Sequence, residues 1–147
     1  FPYTTLFRSY ENILETGYYT INAVSTHLHE RAHQASARYE RHESEFEACG
    51  LTPEFKNDFF APFVADSPIQ IGLELHEEHK MFNGTHLLVG LVKQVYLPEN
   101  SFTENGFLNL ENLNLAAVGG LDSYYNGQFL EQFSYAKPDQ KLSRLTI

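Results

Sequence analysis

The chain has 147 residues and a formal net charge of −9, with 42% hydrophobic and 20% charged residues. This balance predicts one globular domain rather than a disordered chain, and the acidic charge makes nucleic acid an unfavourable partner. No apolar run approaches the roughly 20 residues of a membrane-spanning helix, and the single cysteine, Cys49, cannot form an internal disulfide, which is typical of a cytoplasmic protein.

The first nine residues, Phe1 to Ser9, read FPYTTLFRS. They contain neither an initiator Met nor the basic and apolar regions of a signal peptide. The end of a widely used short-read sequencing adapter translates to the same nine residues. We therefore expect residues 1–9 to be a foreign segment joined to a gene fragment, so that the natural protein begins earlier. The alternative is an ordinary strand rich in Tyr and Phe.

Three helices are predicted after this segment. Tyr10–Thr16 favours a short helix, and Gly17 is expected to end it because glycine commonly follows the last helical turn. One residue of the pair Ser25-Thr26 is expected to cap a second helix that continues to about Ala37. Ser44–Gly50 predicts a third, short helix that closes at its glycine.

The clearest strand signals lie on either side of one turn. Tyr18–Val24 is rich in β-branched and aromatic residues and predicts a first strand. Ile69–Leu75 alternates apolar and polar residues, which is typical of a half-buried strand. Asn83-Gly84 is the strongest turn dipeptide, and it leads into Thr85–Leu97, which is apolar on both faces. We expect that strand to be covered on both sides, in a barrel wall or at a subunit interface.

Weaker signals mark the remaining segments. Pro53–Pro68 is rich in proline and aromatic residues and is expected to be a loop. Asn105-Gly106 predicts a second turn. Leu113–Tyr125 favours a partly helical segment broken by a glycine pair, Phe129–Tyr135 a last strand, and Lys137–Ile147 a polar tail. Together these signals predict an antiparallel β structure with a few helices.

One motif suggests zinc chemistry. His29, Glu30 and His33 match H-E-x-x-H, in which two imidazoles one helical turn apart bind Zn²⁺ and the glutamate acts as general base. A zinc hydrolase is therefore one interpretation. The longer form of the motif, with a glycine and a third histidine, is absent, so a solvated helix face is the preferred interpretation. His76 and His79 are three apart on a predicted strand and are expected to face opposite ways.

Five short blocks occur in order along the chain. They are ENI with ETG at 11–17, SARY with SEFEACGLT at 36–52, ADSP at 65–68, HLLVG at 86–90, and GLDSYY with SYAKP at 120–138. Together they resemble the flavin reductase-like, FMN-binding split-barrel family. The resemblance implies a mainly β fold, an FMN-binding split β-barrel of six strands with a few peripheral helices. It implies a partial domain over 10–138 whose N-terminal strands are missing, followed by a polar tail over 139–147.

The resemblance also implies a function. Members are usually homodimers that hold FMN non-covalently near the subunit interface and transfer hydride from NAD(P)H to the flavin. The implied ligands are therefore a flavin and a nicotinamide nucleotide, with neither nucleic acid nor a membrane as partner. The alternative within this family is a non-catalytic FMN-binding protein or electron carrier. Because the missing strands carry part of the phosphate site, this chain alone is expected to bind FMN weakly.

Six residues are implied as parts of the site. They are His86, Ser36, Arg38, Arg41, Tyr124 and Tyr125. The histidine is expected to be the catalytic residue, touching the flavin or orienting the nicotinamide. The serine and the two arginines are expected to bind the phosphate, which the planar fork of Arg suits, and a tyrosine to pack on the flavin ring. The alternatives are a turn histidine, solvent-facing side chains and ordinary aromatic core.

Overall fold

The computed structural model describes residues 4–145 of the 147, with side chains described from residue 8 onward. The helices among these residues are α1 (Thr4–Thr16), α2 (His29–Gln34) and α3 (Glu45–Ala48). The strands are β1 (Tyr18–Asn22), β2 (Pro53–Glu54), β3 (Phe63–Val64), β4 (Gln70–Lys80), β5 (His86–Tyr96), β6 (Ala116–Gly119), β7 (Ser123–Asn126), β8 (Gln132–Phe133) and β9 (Arg144–Leu145). The fold is therefore mainly β with a few peripheral helices, as predicted.

The main sheet has the strand order β1-β4-β5, and both pairings are antiparallel. β1 aligns with the first half of β4, from Tyr18 opposite Glu74 to Asn22 opposite Gln70. β4 and β5 form a long hairpin, and Gly84 supplies the positive φ of 82° that its turn requires. These three strands and the Asn83-Gly84 turn confirm the sequence prediction.

Two β-bulges interrupt the pairing of β4 with β5. The second bulge lies between Leu75 and Glu77, so His76 has no partner in the register. A bulge breaks the strict alternation of side chains along a strand. The Nε2 atoms of His76 and His79 lie 3.6 and 2.9 Å from the carboxylate of Glu77, so both histidines contact one side chain although they are three positions apart.

The core lies between the sheet and the segment from residue 53 to 68. Phe63 is fully buried, with ring centroids 5.5 Å from Phe59 and 5.4 Å from Tyr96. Phe59 packs on Gly72 of β4, where a Cβ would meet three ring carbons at 3.0 to 3.2 Å. This segment was expected to be a loop, but it contains the two-stranded pair β2–β3, because its aromatic side chains are drawn into the core.

The helix ends agree with the prediction in part. Gly17 and Gly50 follow α1 and α3 with φ of 75° and 64°, as their positions in the sequence indicated. The predicted cap of α2 is wrong, because that helix begins at His29 and Leu28 precedes it without a side-chain cap. Ser25 instead forms an isolated β-bridge with Leu115 and is buried.

The C-terminal third differs most from the prediction. Leu113–Tyr125 was expected to be partly helical, but β6 and β7 form a hairpin that turns at Gly120, where φ is 72°. Val118, Tyr124 and Tyr125 favour strands, and the glycine pair lies at the turn between the two strands rather than at a break in a helix. Phe129–Tyr135 contains only the short strand β8, and its partner β9 lies within the predicted polar tail.

β5 carries exposed apolar side chains in the single chain. Apolar side chains along it remain in contact with solvent, including Leu87 at 53%, Val92 at 60% and Val95 at 50%. Within the described single chain β5 is the edge strand of a three-stranded sheet, and the expectation that it is covered on both sides, in a barrel wall or at a subunit interface, stays a prediction. No helix in the described range is long and apolar enough to cross a membrane.

α1 includes part of the segment that was expected to be foreign. The Arg8 guanidinium forms an ion pair with Glu45 and donates to the backbone oxygens of Glu40 and Glu43 at 3.0 and 3.2 Å. These contacts hold α1 against the loop between α2 and α3. The foreign origin of residues 1–9 stays a prediction.

Candidate functional site

His86 lies at the turn end of the β4–β5 hairpin, beside Glu78 and Tyr10. Its Nδ1 is 2.6 Å from Oε1 of Glu78, and the Tyr10 hydroxyl donates to the same carboxylate oxygen. In the register Glu78 is opposite Leu88 and His86 is opposite Lys80, so Glu78 and His86 are diagonal neighbours on one face. The Tyr10 ring lies over the imidazole, with 4.4 Å between centroids.

The electrostatics of this cluster favour an ionised carboxylate. The hydrogen bonds from Tyr10 and His86 lower the pKa of the Glu78 carboxyl below its ordinary value. The same bond raises the pKa of the Tyr10 phenol, which must give up a stabilised proton to ionise. Because a carboxylate only accepts, Nδ1 of His86 carries the donated proton. Nε2 is then the ring nitrogen left for another partner.

The predicted phosphate-binding residues lie in the loop between α2 and α3. The Ser36 hydroxyl donates to the backbone oxygen of His33 at 2.6 Å. The Arg41 side chain is 87% exposed and forms a 3.6 Å ion pair with Glu11 of α1. Arg38 is exposed in the same loop. The serine and both arginines thus lie in the loop between α2 and α3, and their role in binding a phosphate stays a prediction.

The two predicted tyrosines have different surroundings. The Tyr124 ring contacts both histidines of α2, with centroids 5.4 Å from His29 and 5.7 Å from His33, and its hydroxyl lies 3.2 Å from Nδ1 of His33. Tyr125 is 60% exposed, and its ring lies against Gly119 across the β6–β7 hairpin. Tyr124 thus packs the β6–β7 hairpin against α2, whereas most of the Tyr125 ring is exposed to solvent.

The H-E-x-x-H motif takes part in this packing. Nδ1 of His29 donates to the backbone oxygen of Thr26 at 2.8 Å, and both histidine rings border Tyr124. Across residues 4–145, no group of three His, Cys, Asp or Glu side chains is arranged to hold a metal ion. The spacing of the two histidines is therefore accounted for by contact with an aromatic ring.

α1 is the element that contacts both candidate regions. Tyr10 reaches the His86 cluster, and the next residue, Glu11, reaches Arg41 in the loop. The sequence did not single out Tyr10 or Glu78. The only signal for Glu78 was its distance from the Asn83-Gly84 turn, which sets the hairpin register and thereby the diagonal pairing with His86.

The arginines of the α2–α3 loop suit an anionic group such as a phosphate. A phosphate requires N–H or O–H donors together with positive charge, and the α2–α3 loop carries two guanidinium groups. The exposed fraction of Arg41 leaves room for an anion to approach its guanidinium. A ring nitrogen of His86 and the open ring of Tyr125 suit the polar edge and the face of a planar ring system.

Comparison with known proteins decides the family. The family described as flavin reductase like domain matches residues 7–119. The chain belongs to this family. A structure from Shewanella frigidimarina NCIMB 400, provisionally described as a flavin reductase with a split barrel domain, is 44% identical, with a TM-score of 0.86, and the match covers 89% of this chain and 67% of that one.

Two further relatives extend the comparison. The flavoredoxin of Desulfovibrio vulgaris (Miyazaki F) is 25% identical, with a TM-score of 0.71 over 84% of this chain and 67% of that chain. An uncharacterized protein of Aquifex aeolicus (strain VF5) is 25% identical over 128 residues, which are 86% of this chain. The chain spans 64% of the length of that relative. The family and the split-barrel fold class inferred from the sequence blocks are confirmed.

Proposed function

We propose that this flavin reductase-like chain binds FMN and acts in its reduction by NAD(P)H. The observation that carries the proposal is the family match over residues 7–119. The 44% identical Shewanella structure supports it, because its description names a flavin reductase. The bound flavin supplies the redox chemistry, accepting hydride from the reduced nicotinamide and passing electrons onward. The protein supplies binding and orientation.

The α2–α3 loop is the proposed phosphate site. Arg38 and Arg41 carry planar donor forks that match phosphate oxygens. The Ser36 hydroxyl donates to the backbone oxygen of His33, so it would bind a phosphate as a donor only by exchanging that bond. The chain carries a net charge of −9, so local cations are needed to hold an anionic nucleotide. The ion pair of Arg41 with Glu11 is 3.6 Å long and largely exposed, so solvent screens it and its rupture costs little.

His86 is the proposed catalytic residue, and a tyrosine is the proposed ring contact. The imidazole is held at Nδ1 by Glu78, and Nε2 is proposed to meet the flavin or nicotinamide edge. Tyr124 and Tyr125 were both implied by the resemblance. The exposure of Tyr125 favours it as the residue that packs on the flavin, because Tyr124 already contacts two imidazoles.

A homodimer in the cytoplasm completes the proposal. The exposed apolar residues of β5, such as Leu87 and Val92, are suited to burial against a second copy. The single cysteine, Cys49, is a free and buried thiol, in keeping with a reducing compartment.

A second candidate function is an FMN-containing electron carrier without direct reaction with NAD(P)H. The observation that favours it is the similarity to a flavoredoxin, at 25% identity over 84% of this chain. Both candidates require the flavin, and they differ only in whether a reduced nicotinamide reacts with it.

The test has two stages. The chain is first titrated with FMN while flavin fluorescence and visible absorbance are followed. NADH and NADPH are then added without oxygen. Loss of the flavin absorbance with either nucleotide supports the reductase, whereas a bound flavin that only dithionite reduces supports the carrier. Failure to bind FMN at all would contradict both candidates.

The FMN titration of two arginine variants tests whether the α2–α3 loop binds the phosphate. Arg41→Ala is expected to weaken FMN binding roughly 10- to 150-fold, since a charge-assisted hydrogen bond contributes about 1.5–3 kcal/mol. Arg144→Ala is the matched control, because that arginine is also exposed and paired, 3.0 Å from Glu131, but lies in β9. Equal losses in both variants would show that only net charge matters.

A further inference from the structure

We propose that Glu78 is a positioning residue for His86, which fixes the imidazole so that Nε2 acts as a hydrogen-bond acceptor toward the bound ligand. This inference rests on the proposed function, because it assigns the chemical group that the site recognises. That group is an N–H donor, such as the carboxamide of a nicotinamide or the imide N–H of a flavin.

The first support is the geometry of the hairpin. Nδ1 of His86 is 2.6 Å from Oε1 of Glu78, a distance typical of a charge-assisted hydrogen bond. The two residues come from neighbouring strands of one hairpin, which hold their backbones in a fixed register. A rotation of the imidazole would break this bond, so the ring orientation is coupled to the carboxylate.

The second support is the phenol above the pair. The Tyr10 hydroxyl donates to the same oxygen of Glu78, and its ring covers one face of the imidazole at 4.4 Å. Tyr10 thereby orients the carboxylate and limits tilting of the His86 ring. The lowered pKa of Glu78 is in keeping with a carboxylate that accepts both bonds. The arrangement resembles the way second partners orient a functional histidine in many sites.

The chemical consequence concerns the tautomer. A neutral imidazole carries one proton, and a bond from Nδ1 to a carboxylate keeps that proton on Nδ1. Nε2 is then an acceptor and cannot donate. The site therefore prefers a ligand edge that presents an N–H over one that presents a carbonyl oxygen.

The neighbouring residue supplies a matched control. Glu77 is the next carboxylate along β4, and its oxygens lie 3.6 and 2.9 Å from His76 and His79. Removing it changes a histidine–carboxylate contact in the same strand without touching His86. Any general effect of losing a charge at this end of the hairpin appears in both variants.

The experiment reads the tautomer directly. The full chain is labelled with ¹⁵N at histidine, and two-bond ¹H–¹⁵N correlations are recorded at a pH where the imidazoles are neutral, with His86→Gln used to assign its signals. We expect the Nδ1–H pattern for His86 in the unaltered chain and in Glu77→Ala, the Nε2–H pattern in Glu78→Ala, and an intermediate pattern in Glu78→Gln. An Nε2–H tautomer in the unaltered chain, or no change in Glu78→Ala, would overturn the inference.

A second variant and a kinetic measurement distinguish failure of this inference from misfolding and from failure of the proposed function. Glu78→Gln preserves shape and an acceptor oxygen, so it serves where Glu78→Ala does not fold. In the reduction assay Glu78→Ala is expected to raise KM for the nicotinamide nucleotide about fivefold, the loss of one hydrogen bond, with a smaller change in kcat. The proposed function fails if the unaltered chain does not bind FMN, and that result leaves the tautomer measurement unaffected.

Discussion

The phenol oxygen of Tyr19 lies so close over Gly90 that a Cβ on residue 90 would be 2.3 Å from it. Tyr19 belongs to β1 and pairs with Leu73 of β4, while Gly90 belongs to β5. The tyrosine side chain therefore crosses the middle strand and rests on the outer one. The glycine of the HLLVG block has a physical role here, because only a residue without a side chain admits this contact.

Gly90→Ala is expected to destabilise the fold by about 1–3 kcal/mol, because the added methyl forces the Tyr19 ring and Leu73 to move. Urea denaturation followed by circular dichroism measures the change. Gly127→Ala is the control, since a Cβ there has nothing within 4 Å. Tyr19→Phe removes the nearest atom, so it should recover part of the loss in the double variant. If Gly90→Ala lowered the stability equally in the unaltered and Tyr19→Phe backgrounds, the contact with the Tyr19 hydroxyl would not be the cause of the loss.

The Glu78 carboxylate is expected to make the free energy of unfolding depend on pH in the acidic range. Its pKa is lowered in the folded state by the bonds from Tyr10 and His86, so its contribution is present above the ordinary value of 4.5. That contribution is lost as the pH falls through the lower folded pKa. Glu78→Gln should therefore lower the melting temperature more at pH 7 than at acidic pH. If the difference in melting temperature between the unaltered protein and Glu78→Gln stayed constant across this pH range, the hydrogen bonds assigned to Glu78 would be contradicted.

The Tyr10 phenol is expected to make the free energy of unfolding depend on pH in the alkaline range. Its pKa is raised above 10.0 by the bond to Glu78, so the folded state holds the phenolic proton more tightly than the unfolded chain. The contribution is present below pH 10 and disappears as the pH rises through the folded pKa. Tyr10→Phe should remove this alkaline loss, which a melting series at rising pH would detect. If the melting temperature of Tyr10→Phe fell with rising pH as steeply as that of the unaltered protein, the phenol would not be hydrogen-bonded to Glu78.

His29 and His33 are expected to be packing residues rather than metal ligands. The double variant His29→Ala, His33→Ala should leave FMN affinity unchanged and lower stability by only about 0.5–1 kcal/mol, since both residues lie at or near the surface. Tyr124→Ala should cost more, because it removes the ring that both histidines contact. Stoichiometric zinc in the purified protein, lost in the double variant together with activity, would restore the hydrolase interpretation.

The sequence predicted the features that depend on neighbouring residues. Asn83-Gly84 forms its turn and Gly17 ends its helix because both need a backbone geometry that glycine adopts readily. The β6–β7 hairpin was missed, since the Gly119-Gly120 pair was interpreted as a break in a helix rather than as part of the turn between two strands. Tyr10 and Glu78 were missed for a stronger reason: they are 68 positions apart, and only the packing of α1 on the hairpin brings them together.

The exposed apolar residues on the two faces of β5 are expected to drive self-association. Leu91 is 48% and Val92 is 60% exposed on an edge strand, a position that soluble proteins usually protect with charge. Leu91→Lys and Val92→Lys should each shift the protein toward monomer in light scattering, because a lysine there cannot be buried without a partner. Leu121→Lys is the control, since this residue is 93% exposed in the β6–β7 turn and already solvated. If all three variants change association equally, added charge alone is responsible, and if none does, the β5 surface is not the contact between copies.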